Sequence, residues 1–299
     1  MNKNSFIRTD LATELRESLP HGQGEEKGFR FDEYTNGNVK ISDFFVITPQ
    51  GEQLMGKPMG RYVTLSFGKV WLMTKKEWEH LSSTLGKVLK EMIRETKIPV
   101  KKVLVAGLGN RNLTADAVGP FTAEKITLTR PIALSDPELF ARLGHLETSV
   151  IIPCVSGETG IESADLVKSA SDIVKPDIII AIDALAARSP DRLMGTIQLS
   201  NTGISPGSGV GNSKLPLNKD SLGVPVIAIG IPTVVDSSTL VYDALEKSGM
   251  AKEDLPHATM ELLNNNKSFF VSARECDVGI KELTDILSTA IDKALSVSY

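Results

Sequence analysis

Cysteine is scarce in this chain: Cys154 and Cys276 are far apart and outside any CxxC spacing, which fits a reducing compartment better than a disulfide framework. Histidine is almost as rare, and His21, His80, His145 and His257 sit in no recognisable ligand motif, so no metal or cofactor is expected. No apolar run approaches the roughly 20 residues that span a bilayer. The opening residues Met1 to Arg8 lack the apolar stretch of a signal peptide, and a cytoplasm-like location without membrane attachment is expected. Positive charge is not in excess either: a formal net charge of −4 makes the average field repel phosphates, which argues against direct nucleic-acid binding. Repeats, low-complexity tracts and a GxxxxGK[ST] phosphate loop are all missing.

What is there is an ordinary globular balance. With 41% hydrophobic residues in 299, the chain can bury one large core, and a single elaborated domain is expected. Residues 1 to about 40 are polar and broken by Pro20, Gly22, Gly24, Gly28 and Gly37, and read as an attached leader. Phe44–Ile47 and Arg61–Ser66 read as paired strands, separated by Gly51, Gly56, Pro58 and Gly60. From Lys75 to Thr96, Leu81, Leu85, Val88, Leu89, Met92 and Ile93 recur at helical spacing. Apolar strands at 103–106, 149–152, 178–182 and 226–231 then alternate with helical patterns at 115–128, 162–174, 237–248 and 279–295. That alternation predicts an α/β fold: a mostly parallel twisted sheet with helices on both faces, plus an added β-hairpin region near the N-terminus. In such sheets ligands lie beyond the carboxyl ends of the strands, so the loops after 106, 152, 182 and 231 are expected to gather there.

Two acids stand in those loops. Asp116 follows the glycine turn Gly107-Leu108-Gly109-Asn110, which resembles a dinucleotide loop only superficially, because Asn112 stands where a third glycine is required. Alone, Asp116 reads as an acid satisfying the first turn of a helix. Asp183 ends the apolar strand Ile178 to Ile182, where a carboxylate costs free energy unless it is hydrogen-bonded or faces a cleft. If the two face each other they cannot both ionise easily; one keeps a proton to polarise a carbonyl while the other activates water, as peptide hydrolysis needs. Acidification would then complete the catalytic state. The loop Gly203 to Asn212, with Gly207 and Gly209, offers backbone groups to an extended peptide or an oxyanion. Asp236, between a strand and a helix, reads as an N-cap, and Cys154 as a small buried thiol.

The run Gly203-Ile204-Ser205-Pro206-Gly207-Ser208-Gly209-Val210-Gly211-Asn212, followed by Gly223 to Asp236, resembles the germination protease family; the Gly107–Pro120 and Asp177–Leu185 stretches do so too and, more distantly, resemble hydrogenase maturation endopeptidases. The resemblance implies that Asp116 and Asp183 are the two family acids, and that Thr159 and Gly160, in a Thr-Gly-apolar-Glu motif, shape the substrate cleft together with Gly207, Gly209 and Asn212. Cys154 departs from the Pro-Gly that commonly opens that loop. Family members cut small acid-soluble spore proteins after an acid in a Thr-acid-apolar-Ala-polar-Glu sequence, and this chain carries its own copy, Thr9-Asp10-Leu11-Ala12-Thr13-Glu14. A leader of residues 1–10, removed by self-cleavage between Asp10 and Leu11, ahead of one peptidase domain over 11–299, is therefore implied. So are a homotetramer and a place in the forespore or spore core. Without the family, Thr9 or Asp10 reads as the cap of a helix containing Leu11, Leu15 and Leu19. A metal-dependent maturation endopeptidase and an inactive α/β binding protein are the competing functions.

Overall fold

Aliphatic segments too apolar for either face to meet water form the centre of the molecule, and every other element is arranged around them. The computed structural model describes residues 8–17, 28–207, 215–250, 254–264 and 269–297. The strands are β1 (Phe29–Asn36), β2 (Val39–Val46), β3 (Gly60–Ser66), β4 (Lys102–Gly107), β5 (Glu147–Ile151), β6 (Ile178–Ala187), β7 (Thr196–Ser200), β8 (Val226–Asp236) and β9 (Phe270–Val271). The helices are α1 (Ala12–Glu17), α2 (Pro49–Met55), α3 (Lys75–Glu95), α4 (Val118–Ala123), α5 (Arg130–Ser135), α6 (Pro137–Leu143), α7 (Ser156–Thr159), α8 (Ser163–Val174), α9 (Lys219–Leu222), α10 (Ser237–Lys247), α11 (His257–Asn264) and α12 (Cys276–Leu295).

All strands join one sheet in the order β1-β2-β3-β7-β8-β6-β4-β5, with β9 added to β8. β8, β6, β4 and β5 are mutually parallel and form the expected α/β core. β1, β2, β3 and β7 form an antiparallel wing, attached where β7 pairs with β8. One face of the core is covered by α3 and α12, through Leu81, Leu85, Leu89, Ile286 and Leu287 among others. The other is covered by α8 and α9, through Val167, Val174 and Leu222. Burying each large aliphatic side chain contributes about 1.5–3 kcal/mol, so these faces fix the register of the strands between them. α3 starts where expected, at a capping box in which Thr74 and Glu77 satisfy each other's backbone amides.

The two runs expected to pair do so as β2 and β3, but the chain between them is more than a turn. Thr48 caps the amide of Gly51, Pro49 opens α2, and Gly56 closes it in the left-handed region at φ +60°. The polar arm is not a leader as far as residue 40, contrary to what its composition suggests: from Phe29 it is β1, paired with β2 along its whole length. Phe29 packs on Phe44 with ring centroids 5.3 Å apart, which supplies the burial that the arm lacks alone. The helix expected over 115–128 is a 3-10 turn at Thr114–Asp116 followed by α4, which stops at Ala123. Beyond it Thr127 bonds through amide and hydroxyl to Asp292, and Thr129 through its hydroxyl to Leu146, so these β-branched residues are held outside a helix.

Candidate active site

β4 ends at Gly107, opposite Ile182 of β6, so Asp183 is the first β6 residue to project past its neighbour. The chain leaves β4 with the Leu108 amide donating to Ile182 O at 2.8 Å. It turns at Gly109 (φ +114°), where a Cβ would lie 2.1 Å from the Asp116 carbonyl oxygen. Gly119 lets α4 sit on the strand ends; a Cβ there would meet Leu108 O at 2.2 Å. This tight return sets Asp116 in the loop, its carboxylate accepting the Asn110 amide at 2.9 Å. It does not cap α4, whose N-cap Ala117 makes no side-chain bond. Asp183 is buried, and its carboxylate accepts the Ala184 amide at 3.0 Å.

Both acids line one cavity of about 440 Å³, together with Val155, Ser156, Ser163, Gly207 and Thr233. The segments after residues 106, 152, 182 and 231 meet there as expected, but only those after β4 and β5 are loops; Asp183 to Ala186 and Thr233 to Val234 are still strand, because β6 and β8 run on to Ala187 and Asp236. Thr159 and Gly160 are exposed at the end of α7, outside the cavity lining; the Thr159 hydroxyl bonds to the backbone of Ile161. Gly209 and Asn212 lie outside the described residues. Asp236 caps α10 as expected, accepting the amides of Ser238 and Thr239 at 2.9 and 3.1 Å. Cys154 is a free thiol, half-buried, in the left-handed region at φ +59°. Among the described residues no three His, Cys, Asp or Glu side chains gather as a metal would require, and no helix is long and apolar enough to cross a membrane.

The same cavity holds a piece of the chain itself. Asp10 lines it, donates its amide to Ala186 O at 2.9 Å and accepts the Ala186 amide on its carboxylate at 2.9 Å. Ala186 lies beyond Ile182, the last β6 residue paired with β4, so Asp10 bonds to the stretch of β6 that β4 leaves unpaired, a form of strand addition. Upstream, Arg8 donates its amide to the Thr239 hydroxyl and pairs with the Asp236 carboxylate at 3.3 Å. Downstream, Leu11 and Ala12 are fully buried, and α1 begins. The Thr9 hydroxyl accepts the Leu11 amide at 3.0 Å and bonds to the Glu14 carboxylate. The Thr9 hydroxyl thus holds an amide one residue ahead of α1, while the first helical amide, that of Ala12, goes to the Gln198 side chain, so the expected cap is replaced by a contact from β7; Leu19 lies outside the described residues.

Glu14 is buried, with its carboxylate accepting the amides of Arg188 and Ser189 at 2.7 and 2.9 Å. Burial pushes its carboxyl above the usual range, and those amides pull it partly back. Two residues not singled out in the sequence meet the backbone here. Lys57 donates its ammonium to the Asp10 carbonyl oxygen at 2.9 Å, and the Gln198 side-chain amide donates to the same oxygen at 3.1 Å. Removal from water pushes the Lys57 ammonium down, with the Asp10 charge opposing. Lys57 and Gln198 line a second cavity, about 640 Å³, and Asp10 borders both. The signal that places Lys57 is the Thr48-Pro49 start and Gly56 stop of α2, which put a lysine in the turn between Gly56 and Pro58.

An α/β sheet whose strand ends hold a carboxylate-lined cleft, with polypeptide already threaded along an open strand edge, defines a protein built to grip peptide chain. The germination protease family model matches residues 8–251. A germination protease of Clostridium tetani is 40% identical over 277 residues, covering 92% of this chain and 83% of the relative. One from Caldanaerobacter subterraneus is 38% identical, covering 97% and 94%, and one from Bacillus subtilis 42% identical, covering 81% and 66%. The chain belongs to the germination protease family, and it is a peptidase. Among solved structures, a [NiFe] hydrogenase maturation protease, HycI, from Thermococcus kodakarensis aligns with 58% of this chain and 99% of its own at 16% identity and a TM-score of 0.32, a likeness too slight to argue from.

Proposed function

We propose that the protein is an endopeptidase made with a short leader, which it removes by cutting its own chain between Asp10 and Leu11, and that Asp116 and Asp183 are the catalytic acids. The observation that carries this reading is the presence of Asp10 in the same cavity as the two acids, within a Thr-Asp-Leu-Ala-Thr-Glu segment bonded to the open edge of β6. One carboxylate activates water while the other, protonated, assists the carbonyl and its leaving nitrogen. Acidification favours that singly protonated pair, so self-cleavage is faster in mild acid than at neutral pH. Small acid-soluble spore proteins, carrying the same sequence pattern, are the proposed substrates; the forespore is the proposed location and a homotetramer the proposed assembly. Gly207 borders the cavity and is proposed to contact substrate, and Thr159, Gly160, Gly209 and Asn212 are proposed as substrate-binding residues with it.

The test is an intact-mass time course on the purified chain and on Asp183→Asn, at mildly acidic and neutral pH. Loss of residues 1–10 in the parent alone, faster in acid, is the expected result. Unchanged mass in both would leave maturation to another protease, or a binding role. Stoichiometric metal with activity abolished by chelator would make the protein a metal-dependent maturation endopeptidase instead.

A further inference from the structure

We propose that Lys57 and Gln198 are the carbonyl-binding pair of the cleavage site: they grip the oxygen of Asp10 and stabilise the oxyanion that forms there when water attacks. This rests on the reading that Asp10–Leu11 is the bond cut. Two donors from separate elements converge on one backbone oxygen, Lys57 Nζ at 2.9 Å from the turn after α2 and Gln198 Nε2 at 3.1 Å from the middle of β7. Convergence of this kind is what a developing negative charge on that oxygen requires.

The pair is also held in place before any reaction. Gly56 in its left-handed conformation ends α2 just ahead of Lys57, and the Tyr62 hydroxyl donates to Pro58 O at 2.8 Å just after it. Gln198 is fixed on both edges, by pairing with Thr64 of β3 and Gly230 of β8. Its side chain straddles the bond: Nε2 donates to Asp10 O, while Oε1 accepts the Ala12 amide at 2.7 Å, so both flanks of Asp10–Leu11 are clamped by one residue. The acids border Asp10 from one cavity and the donors from the other.

The chemistry balances with the groups present. Water gives a proton to the ionised carboxylate as its oxygen bonds to the Asp10 carbonyl carbon, and the negative charge collects on the carbonyl oxygen between Lys57 and Gln198. The C–N bond then breaks as the protonated carboxylic acid gives its proton to the Leu11 nitrogen, leaving a carboxyl group on Asp10 and an amine on Leu11. With Lys57 and Gln198 polarising the carbonyl, the protonated acid is free for the leaving nitrogen.

The experiment compares the full-length parent with Lys57→Met, Lys57→Arg and Gln198→Leu, following intact mass against pH, melting temperature, and hydrogen exchange at the Asp10 and Ala186 amides. Lys57→Met is expected to cut itself about 10²-fold or more slowly, with those amides still protected and melting unchanged. Lys57→Arg is expected to recover part of the rate and to move its alkaline decline to higher pH, because a guanidinium stays charged where the partly desolvated ammonium gives up its proton more readily than an ordinary lysine. Gln198→Leu offers a second route to the same loss. A parental rate in Lys57→Met overturns the proposal; so does a slow rate accompanied by lost amide protection, which would make Lys57 a docking residue only. If the parent itself never cuts, the underlying reading fails first, and that result differs from a variant that cuts as fast as an active parent.

Discussion

Arg8 to Asp10 and Leu11 to Glu14 lie end to end, yet they are held differently. The first three are half-exposed and attached by hydrogen bonds: the Asp10 amide and carboxylate to Ala186, the Asp10 carbonyl to Lys57 and Gln198, and Arg8 to the Thr239 hydroxyl and the Asp236 carboxylate. The next four are buried: Leu11 belongs to the main core, Ala12 to the cluster of Phe29, Phe44 and Tyr62, and the Glu14 carboxylate is taken up by two backbone amides. Each hydrogen bond on the outer half contributes about 0.5–1.5 kcal/mol net, whereas one buried leucine contributes about 1.5–3. A break between the halves would therefore separate a loosely hooked segment from one built into the fold.

The strongest challenge to this contrast is Leu11→Ala. It should cost about 2–5 kcal/mol, read from the urea midpoint of unfolding, through the cavity left at a fully buried site. A loss below about 1 kcal/mol would mean that the inner half is peripheral after all. Glu14→Ala comes next, at about 1–3 kcal/mol, because the buried amides of Arg188 and Ser189 lose their acceptor.

Glu14 also sharpens the contrast through pH. Its carboxyl is raised in the fold, mainly by burial, so the folded state binds the proton more tightly than the unfolded one. Its contribution is then complete below the ordinary value of 4.5 and declines as pH rises through the raised one. Melting temperature measured upward from that point should fall more in the parent than in Glu14→Gln, and parallel curves would dismiss the effect. The smallest change is expected on the outer half. Arg8→Ala should alter global stability by about 1 kcal/mol or less, while speeding hydrogen exchange at the Asp10 amide, since one anchor of the hook is gone.

How much of this was legible in sequence follows from how local each signal is. The parallel core could be read because Val103 to Ala106 and Ile178 to Ile182 are too apolar for anything but burial on both faces. The acids could be placed in one cleft because Asp183 directly follows one of those apolar runs and Asp116 lies in the glycine turn that leaves the other. Asp10 could be read because its motif is contiguous. Lys57 and Gln198 could not: Lys57 is one of 33 lysines and arginines, and Gln198 is a polar residue within a short strand. What joins them is the β3–β7–β8 pairing, a long-range event that leaves no local trace. The pattern over 115–128 overextends α4 for the converse reason, since Thr127 and Thr129 are drawn away by Asp292, distant in the chain, and by Leu146, beyond α5 and α6.

Under the proposed cut, the burial of Leu11 and Ala12 would make the inner half a tethered competitor. A cut after Asp10 would leave residues 11–17 joined to the rest of the chain and seated in their own sites, at an effective concentration of the order of millimolar or above. A second polypeptide read in the same register needs those seats, so it succeeds only while the resident segment is out. Turnover on other chains would then follow how often that segment leaves, and a change far from the acids that loosens α1 would raise it without touching the chemistry.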